Sequence, residues 1–289
     1  MLYINNNDSI IANNGPIVHA GNRGYLYGDG VFESIRIIDG KAINLKNHVN
    51  RMLEGARKIM MRPPNFFDVP FFEDRINELL QKSDIKSGGK CRISLDRATG
   101  GTYRPESNEV EFLIEVYPLE HNQFVLNPKG IEIDLFMDHQ KPKTSLSNFK
   151  TKNGLIYVLA SIAAKEKGLG DLLISNDKGG ILESTAANLF VVSNGVLYTP
   201  GLEDGCLAGT MRMQIINLAI SNGIKVYECN IMPQNLLVAD EIFLTNAIKG
   251  ITWVSGYRTK RYFNNTSKKL IDLLNTHWQL QNSTKEETH

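Results

Sequence analysis

Apolar residues recur along this chain in short alternating runs and in a few longer helical stripes. Residues 2–5 and 9–12 alternate around Asn-rich turn residues and read as a small hairpin. Gly30–Ile38 reads as a strand turning at Asp39-Gly40. Leu45, Val49, Met52, Leu53, Ala56 and Ile59 return at helical spacing, so a helix is predicted over 45–59, closed by Pro63-Pro64. A second helix is predicted over 70–81, with proline in its first turn. Strands are predicted over 91–95 and 110–117, on either side of Ala98-Thr99-Gly100-Gly101. The polar stretch that follows is the predicted linker, residues 119–125, between domains at 1–118 and 126–289.

Beyond the linker, residues 130–136 alternate as a strand, and a loop rich in Lys, Pro, Ser and Thr spans 138–148. A helix is predicted over 153–167, ending at Gly168. Strands are predicted over 171–175, 181–183 and 189–192, the first two joined by the turn Asn176-Asp177-Lys178-Gly179-Gly180. A helix over 210–222 closes at Gly223, strands follow over 226–229 and 241–244, and a last helix spans 267–278. The tail 279–289 is polar and expected to fray. No internal repeat or low-complexity tract interrupts this order, which implies two α/β domains with mixed sheets.

Composition changes this picture little. The 289 residues suit about two domains, 42% are hydrophobic and 22% charged, and the formal net charge is +1. That balance proposes neither a nucleic-acid nor an acidic-membrane partner. No apolar run approaches the ~20 residues that span a bilayer. The start MLYINNNDSIIANNG lacks a signal peptide's basic region and long apolar core. Cys91, Cys206 and Cys229 fit neither a disulfide framework nor a zinc site and read as free thiols in a reducing cytoplasm. His19, His48, His121, His139, His277 and His289 lack metal-ligand spacing and read as non-catalytic.

The chemistry concentrates in LSNFKTKNGLIYVLASIAAKEKGLGDLLISNDKGGILESTAANLF, residues 146–190. Lysines stand at the head of an apolar segment, and Glu183 follows about thirty residues on, among Ser184, Thr185, Ala186 and Ala187. A lysine able to form an imine, with a carboxylate to keep a pyridine nitrogen protonated, is what pyridoxal phosphate (PLP) chemistry requires. Small neighbours let a flat cofactor approach the backbone. Gly209-Thr210-Met211 opens a predicted helix, whose unpaired N–H groups suit a phosphate. Arginines within predicted strands, Arg36 and Arg92, need partners if they face inward.

The wording of these segments resembles the class IV aminotransferases, the PLP enzymes of fold type IV, over roughly residues 20–255. Tyr27-Gly28-Asp29-Gly30-Val31-Phe32-Glu33-Ser34-Ile35-Arg36 is similar to the family's YGDGVFExxR, and His48-Val49-Asn50-Arg51-Met52 to HxxRL. Lys150-Thr151-Lys152-Asn153 resembles KxxN, and Glu183 to Phe190 resembles E(G/S)xxxNxF. Tyr198-Thr199-Pro200, Gly209-Thr210-Met211-Arg212 and the segment Ala239 to Ala247 follow at familiar distances.

The resemblance implies that Lys150, with Asn153 three residues on, is the Schiff-base lysine; Lys152, Lys141 and Lys143 miss that spacing. It implies cofactor contacts from Arg51, Glu183, Thr185, Ala186, Gly209, Thr210, Met211, Thr245 and Asn246. Met211 stands where many members carry threonine, and Asn246 and Ala247 where many carry Ser or Thr. Substrate contacts are implied for Tyr27, Phe32, Arg36, Arg92 and Arg97.

The expected activity is transamination from an apolar, branched-chain-like amino acid to 2-oxoglutarate. The alternatives are an aminodeoxychorismate lyase, which releases pyruvate and 4-aminobenzoate, and a D-amino acid aminotransferase. A homodimer, no metal and a cytoplasmic location complete the expectations.

Overall fold

The computed structural model describes residues 1–286, with side chains to residue 280. Contacts divide the chain into two units. The first comprises Met1–Gln123 and Phe149–Asn153; the second comprises Phe124–Asn148 and the chain from Gly154 on. The chain changes unit between Gln123 and Phe124, a point within the predicted linker span. The return of residues 149–153 to the first unit has no counterpart in the sequence pattern.

The first unit runs β1 (Tyr3–Asn6), β2 (Ser9–Ala12), α1 (Arg23–Tyr27), β3 (Gly30–Ile38), β4 (Lys41–Ala42), α2 (Leu45–Lys58), α3 (Val69–Lys82), β5 (Gly89–Arg97) and β6 (Val110–Pro118). Its sheet has the order β2-β1-β6-β5-β3-β4, every pair antiparallel. The mixed pairing expected of both sheets is therefore absent here, because tight turns and the α2–α3 excursion return each strand against its neighbour.

The period of two sorts the side chains of β3 and β5. Val31, Ile35 and Ile37 lie with Cys91, Ile93 and Leu95 in the core, which the apolar residues of α2 and α3 complete. Gly30, Phe32 and Ser34 lie opposite Asp96, Ser94 and Arg92 on the other face. Phe67, Phe71, Phe72 and Phe112 cluster in the core with ring centroids 4.6 to 6.3 Å apart.

Asp68 caps α3 by accepting from the Phe71 N–H at 2.8 Å. Helix α2 stops before the prolines expected to close it, with Met60 turning into the left-handed region at φ 63°.

The second unit runs β7 (Ile131–Leu135), α4 (Leu155–Glu166), β8 (Asp171–Ser175), β9 (Ile181–Ser184), β10 (Asn188–Ser193), β11 (Val196–Thr199), α5 (Thr210–Ser221), β12 (Val226–Glu228), α6 (Pro233–Val238), β13 (Glu241–Asn246), β14 (Gly250–Tyr257), β15 (Lys260–Arg261) and α7 (Asn265–Glu286). The order is β12-β11-β10-β13-β14-β7-β8-β9, with parallel pairs at β11–β12, β14–β7 and β7–β8.

The sheet also closes on itself, because Glu183 of β9 pairs with Asn188 of β10. That seam is the hairpin Ser184 to Ala187, whose Ser184 N–H donates to Ala187 O at 2.8 Å. Strand β14, absent from the sequence reading, is central and joins β13 to β7. Helix α7 continues through part of the expected frayed tail; His289 lies outside the described residues.

Candidate active site

The chemistry-bearing residues divide between the units. In the first, residues 149–153 lie along β3: the Phe32 N–H donates to Lys150 O at 3.0 Å, and the Lys152 N–H to Gly30 O at 2.9 Å. Val31 and Thr151 form the bridge between them. This extended pairing fixes Lys150 beside Phe32, with Nζ 4.3 Å from the ring centroid. The Arg92 guanidinium lies 4.0 Å from the same ring. Its side chain is 37% exposed and only 3.9 Å from Glu115, so it is a cation open to solvent. Lys152 is turned to Asp96, 2.5 Å away, and is a structural ion pair.

Arg51 and His48 stand three residues apart on α2 and meet Glu33 of β3 on the buried face. Arg51 Nε donates to Glu33 Oε1 at 2.7 Å and Nη2 to Oε2 at 2.6 Å, a bidentate pair. His48 Nδ1 lies 2.6 Å from Oε2. Burial would raise the Glu33 pKa, but Arg51 and His48 outweigh it and hold the carboxyl at about 2, below its ordinary 4.5.

Arg36 and Arg97, expected near a substrate carboxylate, are placed otherwise. Arg36 is 6% exposed, and its Nη2 donates to the carbonyls of His121 and Gln123. Burial lowers its pKa. The reason is position: Arg36 sits near the end of β3, where its reach ties down the segment leaving β6. Arg97 is buried against Asp29, with Nε–Oδ2 at 2.8 Å, and donates to the carbonyls of Ile59 and Met60. Arg23 meets the same carboxylate at 2.9 Å and donates to the carbonyls of Gly100 and Thr102. Burial raises the Asp29 pKa less than Arg97 and Arg23 lower it. These groups hold the loop after β5, where Tyr103 meets Tyr27 at a centroid distance of 5.5 Å.

In the second unit Glu183 is the centre. It is 3% exposed and accepts three hydrogen bonds from three separate segments. Lys141 Nζ donates to Oε1 at 2.7 Å, the Tyr157 hydroxyl of α4 to Oε1 at 2.7 Å, and the Leu207 N–H to Oε2 at 2.8 Å. Burial and then the Glu183 charge push the Tyr157 pKa upward, so its hydroxyl stays a donor.

The Leu207 peptide links this carboxylate to the start of α5 and to β10, because Leu207 O accepts from the Gly209 N–H at 2.8 Å and from Asn188 Nδ2 at 2.9 Å. Gly209 is the N-cap of α5 and packs so closely on Asn188 that a Cβ would overlap its Oδ1. No side-chain hydrogen bond caps this helix at Gly209.

Thr245 pairs across the sheet with Asn188, and its Oγ1 is buried with no hydrogen-bond partner. Asn246 folds its own turn by accepting from the N–H groups of Ile248 and Lys249. The Thr185 N–H donates to Asp171 at 3.2 Å, Ala186 is exposed at the hairpin tip, and the Met211 side chain is buried.

Sequence reasoning missed Lys141, Tyr157 and the linking role of Asn188. Asn188 stood inside a quoted motif. Lys141 carried no local signal, because its partner is forty-two residues away. Among the described residues no His, Cys, Asp or Glu cluster could hold a metal ion, and no helix is long and apolar enough to cross a membrane.

The family model for amino-transferase class IV matches residues 30–257. The chain is 31% identical over 229 residues to a putative branched-chain-amino-acid aminotransferase of Methanocaldococcus jannaschii, covering 77% of this chain and 76% of that one. It is 27% identical over 241 residues to an aminodeoxychorismate lyase of Vibrio harveyi, covering 83% and 87%. In fold it is similar to the crystal structure of the branched-chain aminotransferase of Thermoproteus uzoniensis with norvaline. That likeness has a TM-score of 0.86 over 94% of this chain and 92% of that one, at 22% identity.

Proposed function

The chain belongs to the class IV aminotransferases, and from that membership we propose that it transfers the amino group of an apolar, branched-chain-like amino acid to 2-oxoglutarate. The family uses pyridoxal phosphate, and the chain is a PLP-dependent transaminase of fold type IV.

The residues of the second unit fit that cofactor. A carboxylate offers about four acceptor positions, and Glu183 has three filled, which leaves Oε2 able to accept one more N–H. The N-terminus of α5 suits a phosphate, and the buried Thr245 hydroxyl is a further donor. When bound, PLP supplies an electron sink that makes the amino acid's Cα proton removable.

The work of the chain's own residues follows. Lys150 Nζ would hold the cofactor covalently, then act as the base that takes the Cα proton and returns it at the cofactor's C4′ carbon. Glu183 would keep a proton on the ring nitrogen. Gly209, Thr210, Thr245, Asn246 and Arg51 would hold the phosphate, with Glu33 fixing the plane of the Arg51 guanidinium. Thr185, Ala186 and Met211 would line the cofactor's path. Phe32 and Tyr27 would give the substrate an apolar wall, and Arg92 would meet a carboxylate. Arg36 and Arg97 leave the proposed substrate set, since protein carbonyls and Asp29 occupy them.

The buried, three-donor Glu183 is the observation that carries the cofactor reading. The donor class rests on the archaeal relative and on Phe32 beside Lys150 and Arg92. Incubating the PLP form with L- and D-amino acids and with aminodeoxychorismate, scored by half-reaction spectra and product identity, tests it. Spectral change with L-leucine, L-isoleucine or L-valine is expected; turnover of aminodeoxychorismate or D-alanine alone would overturn the choice of substrate.

Borohydride reduction and peptide mapping should place the pyridoxyl group on Lys150. Finding it on Lys152 would reassign the lysine.

A cytoplasmic homodimer completes the proposal. Leu155, Val158, Leu159 and Ile162 form an exposed apolar stripe at helical spacing along α4, a surface that suits a protein partner. Sedimentation showing a fully active monomer would remove the dimer.

A further inference from the structure

Lys141 is held in place as carefully as the carboxylate it meets. Its backbone N–H donates to Ser175 O at 2.9 Å at the end of β8. Its Nζ donates to Ser147 O at 3.0 Å and to Glu183 Oε1 at 2.7 Å. Only 12% of the lysine side chain and 4% of the glutamate's are exposed, so water screens this pair weakly.

The other titratable groups around Glu183 are neutral donors. Tyr157 keeps its proton, and burial pushes the Cys206 thiol up to about 12. Among the described residues Lys141 is therefore the cation paired with Glu183.

Resting on the reading of Glu183 as the partner of the ring nitrogen, we propose that Lys141 is a positioning residue that keeps the shared proton on that nitrogen. A proton between a buried carboxylate and a pyridine nitrogen has two places to sit. On nitrogen it leaves two opposite charges. On oxygen the N–H bond breaks, an O–H bond forms, and both partners are neutral.

Desolvation favours the neutral arrangement. An ammonium bonded to Oε1 reverses that preference. The ammonium lies nearer to the carboxylate than to a ring nitrogen bonded at Oε2, so it attracts the carboxylate's charge more than it repels a ring cation. Ser147 O holds the ammonium, and Ser175 O the Lys141 backbone, so that the charge stays on the Oε1 side, where this asymmetry holds. Glu183 would touch the ring, and Lys141 would act only through it.

The test uses the full chain reconstituted with PLP labelled with ¹⁵N in the ring. In the wild type the ring nitrogen should resonate as the protonated form. Lys141→Gln keeps a hydrogen-bonding group but removes the charge. It should move the resonance downfield toward unprotonated pyridine and lower kcat about tenfold or more, with KM little changed. Lys141→Arg should restore both. A lysine that merely pins the loop would leave the nitrogen signal unmoved.

Should Lys141→Gln fail to fold, the infrared carboxylate band of Glu183 in the wild type, assigned by difference from Glu183→Gln, decides the matter. An ionised band supports the role, and a protonated one overturns it. A wild type that takes up no PLP overturns the reading of the site, and the role of Lys141 with it. A loaded wild type whose nitrogen stays protonated in a folded Lys141→Gln overturns the role of Lys141 alone.

Discussion

Each unit buries a glutamate beside a cation, and the two pairs are built for different ends. Glu33 meets Arg51 and His48, neighbours on one helix that packs on the sheet carrying Glu33. The planar guanidinium grips both oxygens at once. Such a pair is rigid and local, and its natural consequence is to fix α2 against β3.

Glu183 gathers three donors from a loop, a helix and the turn before another helix. Its cation is a lysine bonded to one oxygen, which leaves the other oxygen room for a ligand. The two buried carboxylates therefore differ in the shape of their partner sets, and only that of Glu183 leaves an oxygen open to a proposed ligand.

The sharpest way to break this comparison is to neutralise each carboxylate. Glu183→Gln should retain PLP and the fold but lose kcat on the order of 10²-fold, as for removal of a preorganised electrostatic partner. Near-normal turnover would show that Glu183 is not the ring-nitrogen partner.

Glu33→Gln should act first on stability, destabilising the protein by about 3–5 kcal/mol in urea unfolding because Arg51 and His48 lose their buried counter-charge. A stable Glu33→Gln would show that α2 does not depend on the pair.

The acid limb of stability sharpens the same point. The folded-state pKa of Glu33, about 2, lies below the ordinary 4.5. Its contribution is complete above pH 4.5 and is lost as the pH falls toward 2. The shift corresponds to about 3 kcal/mol. Unfolding free energies of wild type and Glu33→Gln measured across that window should converge as the pH drops; parallel curves would remove Glu33 as the source.

The smallest effect is expected for Tyr157→Phe, which deletes one of three donors to Glu183 and should cost about 1 kcal/mol of stability, read by urea unfolding.

Much of this was legible in the sequence, for reasons that differ by element. Gly30–Ile38 shows itself by alternation and Asp171–Ser175 by a short apolar run before a turn. Strand β14 does not, because Gly250, Thr252, Ser255 and Gly256 break its apolar pattern. Its place is set by pairing with β13 and β7 rather than by its own propensity.

Lys150 and Glu183 were named from a motif, whereas the separate fates of Arg36, Arg92 and Arg97 depend on position. Arg97 pairs across the sheet with Val110, near the loop that Arg23 and Asp29 gather, and only tertiary contacts reveal that. Lys141 misses the spacing to Asn153, and spacing along the chain says nothing about a loop that folds back on a strand.

The placement of residues 149–153 in the first unit bears on how the chain is made. A ribosome delivers residues in order, and by Gln123 it has released every helix and sheet strand of that unit. The stretch that lies along β3 and carries Lys150 is still to come, behind the opening strand of the second unit. The first unit can therefore collapse early while the residue proposed to hold the cofactor is missing, and it acquires that residue only after synthesis of the second has begun.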